Sequence, residues 1–262
     1  MNLLQAKRHI LSMISAANDK GENGMNMKNQ RIVIIGGSSG IGLETAKLFV
    51  EGGAQVIIGS RSKQKLSEAK MELGEKVKAY AVDMTDEESV KAFFDQIGPF
   101  DHLVLTAAQG AGGMFLDLPV PAAQSAFESK FWGQYRAAKY GAAFIREGGT
   151  ITFFSGALSQ KPLPGRSTQS AINSAVESLA RALAIELSPV RVNTISPGTV
   201  DTPAYGHMDE KERQDYYEQI ASRLPAKNIG RPRDIAEAVK FVVTNRFMTG
   251  STIEINGGHP LV

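Results

Sequence analysis

The sequence contains no cysteine in its 262 residues, which excludes a disulfide framework, a cysteine-ligated metal site and a cysteine nucleophile. The 29 basic and 27 acidic side chains leave a formal net charge of only +2, so no excess of positive charge indicates nucleic-acid binding. No apolar run approaches the roughly 18 residues that a membrane-spanning helix needs. His9, His102 and His259 have no partners at metal-ligand spacing. We therefore expect a cytoplasmic protein with no metal, no nucleic acid and no membrane among its partners.

Residues 1–28 differ in character from the rest of the chain, and we predict that they are an N-terminal extension to a domain over residues 29–262. Met1 to Asn18 is mildly amphipathic, and a connector rich in glycine, asparagine and lysine follows it. Three interpretations stay open: a docking helix or loose extension, a targeting segment, and a true start at Met25 or Met27. The length of the chain otherwise suits one large α/β domain.

Apolar runs rich in β-branched residues alternate with helical patterns, which predicts βαβ units and a parallel sheet. The runs are almost continuously apolar, as expected for strands covered on both faces. Right-handed crossovers then give a single, doubly wound α/β domain with a seven-stranded parallel sheet flanked by helices. The predicted strands are Ile32–Ile35, Gln55–Ile58, Lys78–Val82, His102–Thr106, Thr150–Phe154, Arg191–Ile195 and Thr252–Ile255. The predicted helices are Ile41–Glu51, Asp86–Gln96, Pro121–Arg146 and Ser167–Leu187.

A glycine-rich turn follows the first predicted strand, at the carboxyl edge where such sheets bind their ligands. Gly36, Gly40 and Gly42 form a G-x-x-x-G-x-G pattern that leads directly into a helix. Such a turn lets a pyrophosphate approach the backbone and meet the amides at the helix N-terminus, and neighbouring serines add hydroxyl donors. The alternative is a tight turn without a ligand. The dinucleotide-binding residues predicted here are Gly36, Ser38, Ser39, Gly40, Ile41 and Gly42.

The end of the second predicted strand indicates which dinucleotide is bound. A site for NAD(H) usually places a carboxylate there, which hydrogen-bonds the ribose 2′-hydroxyl. This chain instead reads Ser60-Arg61-Ser62-Lys63. Ser60 and Arg61 would bind a 2′-phosphate by charge-assisted hydrogen bonds, and Lys63 is a further candidate. We therefore predict NADP(H) as the cofactor, and the alternative is that Arg61 only faces solvent.

Together with several later landmarks, these motifs resemble the short-chain dehydrogenase/reductase family, which implies a Rossmann-type domain. The resemblance extends from about Asn29 to Gly258. The later landmarks are Asp83-Met84-Thr85-Asp86 and the segments Arg191 to Pro203, Gly230 to Val239 and Thr249 to Gly258.

The resemblance also implies which further groups contact the cofactor and how the chain assembles. An adenine contact is expected after the third strand, and nicotinamide and pyrophosphate contacts are expected from the loop after the sixth. Homodimers or homotetramers are expected, with the two long helices Pro121–Arg146 and Ser167–Leu187 at the interface. The implied cofactor-binding residues are Asp83, Met84, Ala107, Pro197, Gly198, Val200 and Thr202.

The chain departs from the family at its active-site positions. Where the family has a catalytic Asn, Ser, Tyr and Lys, this sequence has Lys130, Gly156, Gln169 and Asn173, and residues 141–204 contain no tyrosine. In the family the tyrosine is the general acid, the lysine lowers its pKa, the serine holds the substrate oxygen and the asparagine supports a water relay. General acid–base catalysis is typically worth about 10²–10⁴-fold. Because the side-chain amide of Gln169 cannot transfer a proton at neutral pH, the family's usual alcohol–ketone interconversion should be severely impaired.

The family's asparagine and lysine have exchanged places, as Lys130 and Asn173. A lysine that enters from the other helix would return an ammonium to the same region, where it could bind the cofactor ribose, stabilise an oxyanion or donate a proton. The alternative is a Lys130 side chain that points to solvent or pairs with Glu128. The candidate catalytic residues are Lys130, Gln169, Asn173 and Ser155, with His207 and Tyr205 as weaker candidates.

Three functions fit these observations. The first is an NADP(H)-dependent oxidoreductase with a non-standard active site and a small-molecule substrate that needs little proton donation, such as a quinone, an activated enone or an imine. The second is a non-catalytic NADP(H)-binding sensor or partner subunit, and the third is a lyase or isomerase built on the same cleft. The segment from Thr202 to Lys227 follows no readable pattern, so the sequence does not name the substrate.

Overall fold

The computed structural model describes residues 27–107 and 112–262. Residues 1–26 of the predicted extension therefore lie outside the described residues, as does Ala108. Met27 is buried, and its backbone amide donates to the carbonyl of Gly52 at 3.2 Å. The packed structure thus begins before residue 29.

Seven parallel strands form the central sheet, in the order β3-β2-β1-β4-β5-β6-β7. The chain starts in the middle of the sheet, builds outward through β3 and then returns to build the other half from β4. This order confirms the predicted doubly wound topology with seven parallel strands. The strands are β1 (Arg31–Ile35), β2 (Gln55–Ser60), β3 (Lys78–Ala81), β4 (Phe100–Leu105), β5 (Ile145–Phe154), β6 (Arg191–Pro197) and β7 (Thr252–Ile255).

Helices cover both faces of the sheet, as the apolar strands require. One hydrophobic cluster joins α1, α2 and α8 to the sheet, and a second cluster joins α3, α5 and α6 to the other face. Within the described ranges, no helix is both long and apolar enough to cross a membrane. The α-helices are α1 (Gly40–Glu51), α2 (Lys63–Leu73), α3 (Glu87–Ile97), α4 (Val120–Phe127), α5 (Gly133–Gly141), α6 (Ser167–Glu186), α7 (Glu210–Arg223) and α8 (Pro232–Thr244).

The segment predicted as one helix over Pro121–Arg146 has a different structure. A π-helical turn over Glu128–Trp132 separates α4 from α5, and a 3-10 turn over Ala142–Phe144 ends the helical segment. Strand β5 already begins at Ile145, which pairs with Phe100 of β4. Gly148 and Gly149, which follow the predicted helix, both lie within β5. A Cβ on Gly149 would collide with the carbonyl of Asp101, so this glycine serves the close approach of two strands.

Arg191, at the start of β6, holds the C-terminal end of α8. Its guanidinium donates to the carbonyls of Val243 at 2.6 Å, Val242 at 2.9 Å and Met248 at 3.0 Å. The last carbonyls of a helix have no partners within that helix. One side chain therefore satisfies groups at the helix end and in the connection that follows.

We predict that Arg191→Met lowers the free energy of unfolding by roughly 2–4 kcal/mol, because charge-assisted bonds are lost and carbonyls are left unpaired. Urea unfolding followed by circular dichroism measures the change. Arg181→Met is the matched control, since Arg181 is an exposed residue of α6. Equal stability of the two variants would contradict the role assigned to Arg191.

Candidate functional site

A cleft of about 810 Å³ opens at the carboxyl edge of the sheet, beyond β1, β2 and β4. The strand order reverses here, because β1 and β4 are neighbours whose connections cover opposite faces. The structure brings most of the predicted cofactor residues together around this cleft. Those that line it are Gly36, Ser38, Ser39, Gly40, Ile41, Gly42, Ser60, Arg61, Asp83, Met84, Ala107 and Thr202.

The turn between β1 and α1 is a backbone cradle. Gly36 has a φ of +96°, and a Cβ at this residue would collide with the backbone of Ala107. A Cβ on Gly42 would collide with the carbonyl oxygen of Gly36. The Ser39 side chain makes no capping bond to the first turn of α1, so this hydroxyl and the helix amides face the cleft together. Glycine backbone, helix N-terminus and serine hydroxyls are a donor set that fits a pyrophosphate.

A second donor set lies at the end of β2. Ser60, Arg61, Ser62 and Lys65 line the cleft there, and two cations with two hydroxyls fit a phosphate. The hydroxyl oxygen of Ser62 accepts from the backbone amide of Lys65 at 3.2 Å, which places Lys65 in the first turn of α2. The sequence had suggested Lys63, which is not among the residues that line the described cleft. Lys65 is therefore a cleft residue that sequence reasoning missed.

Asp83 and Met84 follow β3 and form another part of the wall. The Asp83 carboxylate accepts from the backbone amide of Thr85 at 2.9 Å and from its hydroxyl at 2.8 Å. These bonds fix the carboxylate at the rim of the cleft, where the predicted adenine contact would lie.

Some residues of the loop after β6 line the cleft, and others lie in the core. Thr202 lines the cleft, opposite Gly40. Pro197, Gly198 and Val200 are not among the residues that line it: the Gly198 amide donates to Ile255 at 3.0 Å, and Val200 is buried. The contacts implied for these three residues stay predictions.

Lys130 lies in the π-helical turn, and its side chain points into the protein. Its Nζ donates to the carbonyl oxygen of Ser155 and to Oδ1 of Asn173, both at 2.7 Å. Glu128 does not pair with Lys130, since its carboxylate binds Arg136 at 2.5 Å. The two residues that appeared exchanged in the sequence are therefore in direct contact. Lys130 and Asn173 are not among the residues that line the cleft, although the adjoining residue, Ser129, is.

The ammonium of Lys130 is poorly solvated in this position. Burial lowers its pKa to about 8, and the negative charge of Glu177 acts in the opposite direction. A lysine with this pKa is mostly protonated at neutral pH but is a much stronger acid than an ordinary lysine.

Asn173 is held in one orientation by Gly156. Its Nδ2 donates to the Gly156 carbonyl at 3.0 Å, so its Oδ1 is the atom presented to Lys130. A Cβ at residue 156 would lie 3.0 Å from Nδ2, closer than the amide tolerates without moving. The absence of a side chain at Gly156 thus leaves room for the Asn173 amide.

Gln134 is a fully buried residue of the site that sequence reasoning missed. Its Nε2 donates to the carbonyls of Lys130 at 3.1 Å and Phe154 at 3.0 Å, and its Oε1 accepts from the Phe154 amide at 2.9 Å. It therefore joins the π-helical turn to the end of β5. One signal in the sequence could have identified Gln134. It is an amide residue four positions after Lys130, on a helix face otherwise occupied by core residues.

The other candidate catalytic groups lie around this pair. Gln169 precedes Asn173 by one turn of α6, and its Oε1 accepts from Arg166 at 3.3 Å. The Ser155 hydroxyl is buried without a hydrogen-bond partner among the described residues. Neither residue is among those that line the described cleft.

Tyr205 and His207 are placed less favourably for acid–base chemistry. The Tyr205 ring packs against Tyr216 at a tilt and against Tyr217 edge-on, and burial raises its pKa to about 12, so the phenol holds its proton firmly. His207 is exposed, with Nδ1 3.2 Å from the Ala204 carbonyl. Among the described residues, no group of three or more His, Cys, Asp or Glu side chains is arranged to hold a metal ion.

Comparison with known proteins agrees with this architecture. The family model described as enoyl-(acyl carrier protein) reductase matches residues 36–259. The short-chain dehydrogenase/reductase ATR9 of Stachybotrys chlorohalonatus is 32% identical over 247 residues, which cover 88% of this chain and 97% of ATR9.

Two solved structures extend the comparison. A small-chain dehydrogenase crystallised in complex with NADPH is 37% identical, with a TM-score of 0.76 over 90% of this chain and 100% of its own. A short-chain oxidoreductase from Pseudomonas aeruginosa PAO1, described as containing an atypical catalytic center, is 28% identical, with a TM-score of 0.81 over 87% of this chain and 96% of its own. The sheet order, the glycine turn and these matches lead to one conclusion: the chain belongs to the short-chain dehydrogenase/reductase family.

Proposed function

We propose that this protein is an NADP(H)-dependent oxidoreductase in which Lys130 neutralises the charge that develops on the substrate and donates a proton to it. One observation carries the proposal: the Lys130 ammonium is held between the Ser155 carbonyl and the Asn173 amide oxygen. The residue before it in the chain, Ser129, lines the cleft. An isolated buried charge is costly, so a lysine with fixed acceptors at this position indicates a role for the charge itself.

The cleft residues would hold the dinucleotide, which supplies hydride chemistry when bound. The glycine turn and Ser39 fit its pyrophosphate, and Arg61 with Lys65 fits a 2′-phosphate. The structural relative solved with NADPH supports the choice of NADP(H) over NAD(H).

Reduction of a carbonyl, enone or imine develops charge that a fixed cation or a proton must neutralise. Lys130 can do both, because its pKa near 8 leaves it protonated at neutral pH and still able to release the proton. The Asn173 oxygen fixes the position of the nitrogen. Ser155 and Gln169 would orient the substrate through a hydroxyl and an amide.

The candidate substrates are small molecules, namely quinones, activated enones and imines. The relative with an atypical catalytic center supports the view that this fold works with other groups than the usual four. A cytoplasmic location stays a prediction.

Arg61→Ala should weaken NADPH binding roughly 10- to 150-fold, because a hydrogen bond to a charged group is worth about 1.5–3 kcal/mol. NADH binding should stay nearly unchanged, since NADH has no 2′-phosphate. Calorimetry, or energy transfer from Trp132 to the nicotinamide, measures both affinities. Lys63→Ala is the matched control, because Lys63 is near but does not line the cleft. Equal weakening of both cofactors would contradict the NADP(H) assignment.

Lys130→Met should lower kcat/KM with NADPH by about 10²–10⁴-fold, the usual size of an acid–base contribution. In the wild type, kcat/KM for reduction should fall as the pH rises through about 8, because the ammonium is lost, and the variant should lack this fall. Steady-state assays against quinone, enone and imine acceptors measure both effects.

Lys139→Met, at an exposed lysine of α5, is the control and should keep full activity. A Lys130→Met enzyme as active as this control would refute the proposal. NADPH binding by the wild type without turnover of any acceptor would instead favour the non-catalytic sensor.

We also propose that the protein is a homodimer or homotetramer in which α6 and the segment 120–144 form the interface. Apolar side chains stay exposed on these elements, with Ile185 81% exposed and Trp132 43% exposed. Sedimentation should therefore give at least twice the 28.2 kDa of one chain.

Ile185→Glu should shift the assembly toward monomer, because a charge would be buried at the contact. Met71→Glu, at a 76% exposed residue of α2, should leave the assembly intact. A wild-type monomer at micromolar concentration would refute the interface.

A further inference from the structure

Behind the Lys130–Asn173 pair lies a buried carboxylate, Glu177. Residues 169, 173 and 177 follow one another at four-residue steps along α6, so they share one face of the helix. Glu177 is only 6% exposed, and no part of the function proposed above uses it. A carboxylate is rarely buried this deeply unless it is paired or hydrogen-bonded.

A continuous set of contacts connects Glu177 to Lys130. The Ser159 hydroxyl donates to Glu177 Oε1 at 2.6 Å and lies 3.1 Å from the Gly156 carbonyl. That carbonyl accepts from Asn173 Nδ2 at 3.0 Å, and Asn173 Oδ1 accepts from Lys130 at 2.7 Å. A buried cation and a buried anion are thus bridged by one amide, one carbonyl and one hydroxyl.

Among the described residues of the neighbouring segments, the other charged side chains act on groups other than Lys130. On the same helical segment Glu128 pairs with Arg136, and at the start of α6 Arg166 binds Gln169. In the segment after β5, Lys161 acts on His259. The ends of β5 and β6 present the neutral hydroxyls of Ser155 and Ser196. Glu177 is the group whose charge acts on the Lys130 ammonium.

We propose that Glu177 is a positioning residue that keeps Lys130 in its charged form through the Ser159–Gly156–Asn173 contacts. The inference rests on the proposed function of Lys130. When Lys130 gives a proton to a substrate oxygen or nitrogen, its N–H bond breaks and the new O–H or N–H bond forms, which leaves a neutral amine. Glu177 makes the return of a proton from solvent to that amine more favourable. The catalytic contact with substrate belongs to Lys130, and Glu177 acts only through it.

Direct titration of Lys130 tests this inference without any turnover. The full-length protein is labelled with ¹³C-lysine, and the Lys130 side-chain signal is assigned by its loss in Lys130→Arg. Glu177→Gln should move the titration midpoint to lower pH by roughly half a unit or more, as expected when a nearby buried charge is removed. Glu177→Asp keeps the charge and should titrate close to the wild type. Glu186→Gln, at an exposed carboxylate of the same helix, is the matched control.

Two outcomes would overturn the inference: an unmoved midpoint in Glu177→Gln, or equal shifts in Glu177→Gln and Glu177→Asp, which would reflect packing rather than charge. If Glu177→Gln does not fold by circular dichroism, Ser159→Ala decides. Loss of the hydroxyl that orients the carboxylate should still give a smaller downward shift, and its absence would overturn the inference.

The activity readout then separates the two proposals. In an active enzyme, Glu177→Gln should move the alkaline fall of kcat/KM to lower pH while KM for NADPH stays within about twofold, since Glu177 is remote from the cleft. If the wild type shows no turnover but the Lys130 midpoint shifts as stated, the proposed oxidoreductase function fails and the electrostatic coupling stands. If neither the Lys130 titration midpoint nor the pH profile of kcat/KM shifts in Glu177→Gln, Glu177 has no role in the site.

Discussion

A single buried ammonium is the constraint on which the centre of this molecule depends. Because the Lys130 ammonium is shielded from water, it needs hydrogen-bond acceptors inside the protein. The Ser155 carbonyl and Asn173 Oδ1 are those acceptors. A lysine at residue 173 would have repelled it, and a side chain at residue 156 would have crowded the amide of Asn173. Lys130, Gly156 and Asn173 therefore depend on one another. The departures from the family predicted at these three positions are better explained as one coupled change than as three independent losses.

The backbone around Lys130 is adapted to the same end. In a π-helical turn the backbone hydrogen bonds join residues five positions apart, whereas in the flanking α-helices they join residues four apart. Such turns recur at functional sites. Gln134 stabilises this irregular turn. Its side-chain amide hydrogen-bonds the Lys130 carbonyl and both the carbonyl and the N–H group of Phe154. The helix is thereby fastened to the strand end that supplies the Ser155 carbonyl. A buried amide with three partners fixes the position of Lys130 more narrowly than apolar packing would.

The sheet and its ligand edge were predictable from sequence because their signals are local. Continuous apolar runs locate the strands, and the glycine turn is demanded by contacts of Gly36 and Gly42 that no other residue would permit. Helix α2 was not predicted, since only Leu66, Ala69 and Leu73 are buried along it, and Lys65 was missed with it. The predicted end of the helix at Arg146 was wrong. The pair Gly148-Gly149 is typical of a helix end, but paired glycines also permit two strands to approach closely, as they do here. The direction of the Lys130 side chain depended on contacts between residues 25 and 43 positions apart, which no local pattern encodes.

Burial explains how Lys130 could serve as the acid, a role that the family resemblance assigns to a tyrosine. Desolvation disfavours the charged form of any group, so it raises the pKa of a phenol and lowers the pKa of an ammonium. Tyr205 illustrates the first effect in this protein, with a pKa raised to about 12, and Lys130 the second, with a pKa lowered to about 8. A buried tyrosine therefore needs a neighbouring cation before it can act near neutral pH, and the family provides its lysine. A buried lysine is brought into that range by desolvation alone. What it then needs is a counter-charge that stops the pKa from falling too far, and Glu177 is placed to supply it.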